Sequence, residues 1–201
     1  MVANVNDTEK KILDAAKKIF ELSGYNGARM QHIADEAGIS KASLHYYFRS
    51  KENLFERIFH ETMEEFMKVL STWEDDTDKW ELKLREFVVE FFNFLRTNSL
   101  LFILRELNRN PDLMNDRPKK KKIGFMSYFK NLQEKGLIQN FDLSLMYVFL
   151  HSLCSYPLIN KIIFKRILMM DDTRFDSFLE EYPNHVADFL ILFIKQSKTK
   201  K

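Results

Sequence analysis

The chain has 201 residues, room for one large helical body or a small domain joined to a larger one. Hydrophobic residues make up 45% and charged residues 30%, with only five Gly and four Pro, a composition that suits long helices and disfavours a sandwich, a barrel or a disordered chain. The net charge is only +2, so bulk charge does not point to nucleic acid and any such partner must be read from local arrangement.

Residues 1–51 carry eight Lys/Arg against six Asp/Glu and the remainder is balanced at 23 against 23, which places the small excess at the N-terminal end. The single cysteine, Cys154, excludes an intramolecular disulfide and fits a reducing compartment. The N-terminal residues lack the apolar core of a signal peptide, and no apolar run is long enough to span a bilayer. The expectation is a cytoplasmic protein with no membrane contact.

In chain order, Ile12, Ala15, Ala16, Ile19 and Phe20 recur at helical spacing, with Asn6 or Asp7 as N-cap and Gly24 as stop. Met30, Ile33, Ala34 and Ala37 mark a short second helix that Gly38 ends. Ser40 caps a third helix through Leu44 and Tyr47, and Ser50 a long fourth whose apolar face runs from Leu54 to Trp73 before Glu74-Asp75-Asp76 closes it. Trp80 to Leu95 forms a fifth helix, Leu100 to Leu107 a sixth that stops before Pro111, and Pro118 to Lys135 another, stopped by Gly136. Two long apolar helices follow, around Asp142–Arg166 and Arg174–Lys195, each kinked or restarted by its one proline, Pro157 or Pro183. The reading is all-α, with about nine helices.

Residues 29–48, RMQHIADEAGISKASLHYYF, have the features of a helix-turn-helix. Ala34 is small where two helices cross, Gly38 tolerates positive φ at the turn, and Ile39 and Leu44 lock the helices together. The second helix then presents Lys41, Ser43, His45, Tyr46 and Tyr47, hydrogen-bonding and planar side chains suited to base edges and phosphates in a major groove.

From Ile12 through Leu54 the sequence resembles the tetracycline-repressor (TetR) family, through Ala15-Ala16, Phe20, Gly24-Tyr25, Ile33-Ala34, Ala37-Gly38-Ile39-Ser40, Leu44, Phe48, Ser50-Lys51-Glu52 and Leu54. The resemblance implies a DNA-binding head at 1–52, made of three helices, and a helical effector-binding and dimerisation domain at 53–201. It implies that Lys51 meets the phosphate backbone at the positive end of the fourth helix. The DNA-facing set becomes Arg29, Gln31, Lys41, Ala42, Ser43, His45, Tyr46, Tyr47 and Lys51, with Lys41, Ser43 and Tyr46 as the base readers. Ala28-Arg29 replaces the family's Thr followed by Ser or Thr, so an arginine-phosphate contact stands in for a hydroxyl cap. His45-Tyr46-Tyr47-Phe48 replaces Tyr, any residue, His, Phe, so the operator sequence does not carry over from relatives.

The resemblance further implies a ligand pocket among the later helices. Phe87, Phe91, Phe102, Met126, Phe129, Met146 and Phe149 are its candidate lining, read as a mixture of cavity wall and plain core. Phe189, Leu190 and Phe193 mark a stripe expected to form half of a two-fold dimer interface. Lys119–Lys122 reads as a solvated connection, and His60-Glu61 with Glu64 lacks the second histidine of a metalloprotease helix. His151 and Cys154, at i and i+3, read as buried rather than as metal ligands. No catalytic, phosphate-binding or metal motif occurs, so neither enzyme activity nor a cofactor or metal is expected. The function expected is a sequence-specific regulator, in the main a repressor, that partners operator DNA as a homodimer and is released by a small apolar effector. The alternative is a helical small-molecule binding protein with a vestigial head.

Overall fold

A computed structural model describes residues 5–71, 73, 79–97, 100–109 and 124–196. The expectations for Glu74–Asp76, Pro111 and Lys119–Lys122 lie outside these residues. Everything regular among them is helical: α1 (Val5–Gly27), α2 (Met30–Glu36), α3 (Lys41–Tyr47), α4 (Lys51–Ser71), α5 (Trp80–Thr97), α6 (Leu100–Arg109), α7 (Gly124–Glu134), α8 (Leu143–Ile159), α9 (Lys161–Ile167) and α10 (Asp172–Gln196). The chain is all-α, with an N-terminal helix-turn-helix followed by a helical C-terminal domain.

Two compact units divide the chain. The first takes 1–65 together with 99–118, so the division falls inside α4 and α6 groups with the head instead of with the helices around it in sequence. Its core gathers Ile12, Ala16 and Phe20 of α1, Ile33 and Ala34 of α2, Leu44 of α3, Leu54, Phe55 and Ile58 of α4, and Phe102 and Ile103 of α6. Phe20 stacks on Phe102 at 5.8 Å and meets Phe55 edge-on at 5.8 Å, an arrangement that aligns ring edges with ring faces. Gly24, at φ 70°, breaks helical geometry inside α1 as expected of it.

The second unit takes 66–98 and 119–201. Here α5, α8 and α10 pack on one another. Their apolar stripes meet through Leu84, Val88 and Phe92 of α5, Met146, Leu150 and Cys154 of α8, and Val186, Leu190 and Ile194 of α10, all buried. Ion pairs Arg85–Asp188 (2.5 Å) and Lys195–Glu81 (2.9 Å) flank the α5–α10 seam. At the end of α7, Gly136 at φ +67° takes the left-handed position, and Leu137 N–H donates to the Leu132 carbonyl across it at 3.0 Å.

Of the two long helices of the last third, the one with Pro157 is broken and the one with Pro183 is not. The helix expected over Asp142–Arg166 is two, bent by 78° at Asn160, three residues after Pro157. Pro157 has no N–H for the Leu153 carbonyl, and that oxygen instead accepts from the Tyr182 hydroxyl at 3.0 Å. Pro183, by contrast, sits buried inside an unbroken α10, so the helix does not restart there. Among the described residues no single helix is long and apolar enough to cross a membrane.

Candidate nucleic-acid interface

The helix-turn-helix is built by local bonds that the sequence requires. Ile39 N–H reaches back to the Ala34 carbonyl at 3.0 Å and Gly38 N–H to the Asp35 carbonyl at 3.1 Å, which closes α2 with its left-handed residue at Gly38, φ +67°. A Cβ at Gly38 would meet nothing within 4 Å, so the backbone angle and not space demands glycine. Ser40 Oγ accepts from Ser43 N–H at 3.0 Å and so caps α3. Leu44, fully buried, anchors α3 to α2. Anchoring one face leaves the opposite face outward: Lys41, Ala42, His45 and Tyr46 are exposed, Tyr46 at 83%.

Each of the nine DNA-facing candidates has a definite place. Arg29 is exposed at the N-cap of α2 and makes no side-chain cap bond, which leaves its guanidinium outside the helix. Gln31 is exposed and donates to Asp35 Oδ1 at 2.8 Å. Ser43 is half-buried, and its hydroxyl lies one turn from the exposed Tyr46. His45 Nδ1 lies 3.3 Å from the Arg49 carbonyl, a contact that orients the ring at the end of α3. Tyr47 is half-buried against the head core, with its ring edge-on to Tyr46 at 5.4 Å, so it supports the Tyr46 ring as well as facing outward.

Lys51 has a task that the sequence did not reveal. Its Nζ donates to the carbonyls of Tyr25 (2.8 Å) and Ala28 (3.3 Å) and lies 4.5 Å above the Tyr25 ring centre. Two of the ammonium's three protons therefore tie the end of α1 to the start of α4. Beside it the Tyr25 hydroxyl donates to Glu52 Oε1 at 2.9 Å. Burial first, then that bond to a carboxylate, push the Tyr25 hydroxyl above its ordinary pKa. Glu52 is held below the usual carboxylate range by its own backbone N–H, then by Tyr25 and Ser50. Tyr25 and Glu52 entered the sequence reading only as parts of the family pattern, because the lock joins residues 27 apart.

Residues 12–58 match the sequence profile described as "Bacterial regulatory proteins, tetR family". Residues 12–58 thus carry the tetR-family sequence pattern. The HTH-type transcriptional regulator RutR of Escherichia coli K12 is 36% identical over 72 residues, which are 36% of this chain and 34% of RutR. The match thus spans about a third of RutR's length. Two solved structures share the fold over nearly the whole chain. Salmonella enterica GusR has a TM-score of 0.62 at 18% identity, covering 96% of this chain and 98% of its own. The transcriptional regulator FadR of Bacillus subtilis, solved in complex with stearoyl-CoA, has a TM-score of 0.59 at 17% identity, covering 90% and 97%.

Likeness to RutR is confined to about a third of the chain, whereas YvkB of Bacillus subtilis, 28% identical over 135 residues, matches 66% of this chain and 71% of its own, and so extends beyond the head. The candidate pocket residues separate into three places. Phe87 stacks on Phe91 at 5.9 Å and on Phe125 at 5.1 Å, and Phe129 lies 5.0 Å from Phe125, so these rings share one aromatic cluster of α5 and α7. Met146 is fully buried on α8 and Met126 half-buried on α7. Phe149 instead joins Phe189 (6.1 Å) and Phe193 (5.2 Å), and Phe193 also meets Phe141 at 5.4 Å. Phe102 is corrected outright: it belongs to the head core, because α6 packs on α1.

The expected dimer stripe also needs one correction. Phe189 is 49% exposed, but Leu190 is fully buried within the chain, since one residue turns a helix by about 100° and carries it to the α5–α8 side. The exposed apolar side chains nearby are instead Leu192 on α10 and Leu145 and Val148 on α8. Helix α9 buries none of its residues. Cys154 is fully buried and His151 is half-buried. Burial pushes the Cys154 thiol up to about 12 and depresses His151, whose ring lies 6.1 Å from both Phe91 and Tyr147. Among the described residues no three His, Cys, Asp or Glu side chains are grouped to hold a metal ion.

Proposed function

We propose that the chain is a sequence-specific, homodimeric DNA-binding transcriptional regulator, a repressor that a small apolar ligand releases from its operator in the cytoplasm. The observation that carries the first half is the outward face of α3. A tyrosine 83% exposed beside exposed Lys41, Ala42 and His45, on a helix held from behind by fully buried Leu44, is a rigid, outward-facing reading surface. Base contacts come from Lys41, Ser43 and Tyr46, and backbone contacts from Arg29, Gln31, His45, Tyr47 and the third proton of Lys51. The dimer forms through the exposed apolar residues of α8 and α10, Phe189 and Leu192 among them, because a face of that kind near the chain end calls for a partner. FadR's stearoyl-CoA supports an apolar ligand here, which we place in the second unit at Phe87, Phe91, Met126, Phe129 and Met146.

Selection of bound fragments from random duplex DNA tests the reading. An enriched inverted repeat is expected, with half-site centres one helical turn, roughly 34 to 36 Å, or a multiple of it apart. Equal affinity for every duplex would overturn it.

A further inference from the structure

Trp73 stands among four aromatic rings of α5 and α7, with centroids at 4.9 Å (Phe87), 5.1 Å (Phe125), 4.9 Å (Tyr128) and 5.5 Å (Phe129). Its indole Nε1–H is buried and donates to nothing, the one such side-chain group among the described residues. Buried donors are paired as a rule, and each exception asks for a reason. None of the surrounding rings accepts from this N–H, Tyr128 included, whereas a ligand that brings an oxygen would supply the missing hydrogen bond. A second feature bears on the ligand's charge. The Lys83 ammonium lies 5.8 Å from the Trp73 ring centre and 4.8 Å from that of Tyr128, so a cation borders the same cluster.

An apolar wall, an orphan N–H and an adjacent ammonium define one chemistry. We propose that this cluster binds an apolar carboxylate, whose oxygen accepts from Trp73 Nε1–H beside Lys83 and whose hydrocarbon lies among Phe87, Phe125 and Phe129. The inference rests on reading the second unit as an effector-binding body, and names its ligand. Phe125 and Phe129 are fully buried, so binding must part these rings. A ligand selects that arrangement only through the bonds it makes there, and the orphan donor supplies one. The carboxylate would meet the indole donor with the Lys83 ammonium at the border of the same cluster, which lessens the cost of burying its charge.

The test uses the full-length protein and three probes with ten-carbon chains, kept below micelle formation: decanoate, methyl decanoate and decylammonium. With Trp80→Phe, emission reports on Trp73 alone. Decanoate is expected to bind and shift that emission, methyl decanoate to bind more weakly, and decylammonium least. Trp73→Phe keeps an aromatic side chain but removes the donor together with the five-membered ring, and should weaken both decanoate and methyl decanoate by about tenfold in calorimetry. Lys83→Met should weaken decanoate by about tenfold and leave methyl decanoate unchanged. Thermal melting separates binding from folding: Trp73→Phe loses part of a packed ring and should melt somewhat lower, and a cooperative transition well above the assay temperature shows that the loss of binding is read on folded protein.

Equal binding of decanoate and decylammonium would overturn the inference. So would decanoate that releases operator from Trp73→Phe as readily as from the parent, a result that leaves the effector reading standing. If none of the three probes binds a protein that does bind operator, the inference falls together with the apolar-ligand part of the reading, and the operator part survives.

Discussion

The ammonium of Lys51 donates to the Tyr25 carbonyl at 2.8 Å and sits 4.5 Å above the centre of the same tyrosine's ring. Two residues 26 apart thereby clamp the end of α1 to the start of α4, the two helices that carry α2 and α3 between them. Lys51→Met should therefore do two things. It leaves the carbonyls of Tyr25 and Ala28 without their donor, which should lower the head's unfolding free energy by about 1 to 3 kcal/mol. It also removes a positive charge, so affinity should fall alike for all DNA sequences and with a shallower salt dependence. Urea melts and salt-titrated binding read the two effects, and unchanged stability would deny the clamp.

Tyr46 and Lys41 are exposed, Tyr46 touching only the Tyr47 ring among the described rings, so their removal should change a melt little. Tyr46→Ala or Lys41→Ala should instead relax discrimination at particular base pairs by about 1 to 3 kcal/mol. Binding to a panel of single-base operator variants gives the measurement. Uniform loss across the panel would reassign both residues to the backbone.

Tyr182 serves Pro157 from another helix. Its hydroxyl donates to the Leu153 carbonyl, which the proline leaves without an amide partner, and burial raises the hydroxyl's pKa. Tyr182→Phe should cost about 1 to 3 kcal/mol of stability although it deletes one oxygen and creates no large cavity. A mutant that melts with the parent would mean that water already supplies that carbonyl.

The two neighbours Phe189 and Leu190 should respond differently to charge. Leu192→Glu or Phe189→Glu, at exposed apolar sites, should convert a dimer to a folded monomer on a sizing column. Leu190→Glu buries a carboxylate in the protomer core and should unfold the chain. A Leu192→Glu dimer of parental stability would move the interface away from α10.

His151 supplies a pH signature. Burial depresses its pKa from 6.5, so the folded chain disfavours the imidazolium that the unfolded chain accepts. Its contribution is fully present above pH 6.5 and is lost as pH falls through the depressed folded value. Denaturation between pH 8 and 5 should show a decline that His151→Phe flattens. Persistence of the full slope in that variant would assign it to other groups.

Much of the molecule is a matter of local chemistry, and that part was legible in the residues themselves. The stop at Gly38, the cap at Ser40 and the stop at Gly136 depend on backbone angles and bonds within six residues, so spacing alone predicts them. The outward face of α3 follows from one buried leucine and helical period. Tertiary structure decided everything that depends on which helix comes to lie beside which. Phe102 reads as a body residue by its place in the chain, and only the packing of α6 on α1 makes it head core. Phe189 and Leu190 share a stripe in a list of apolar residues, but which one faces outward depends on where α5 and α8 sit. The second task of Lys51 and the orphaned indole of Trp73 are invisible to periodicity for the same reason. Each is defined by partners brought or not brought from distant sequence, and a helical repeat carries no information about those.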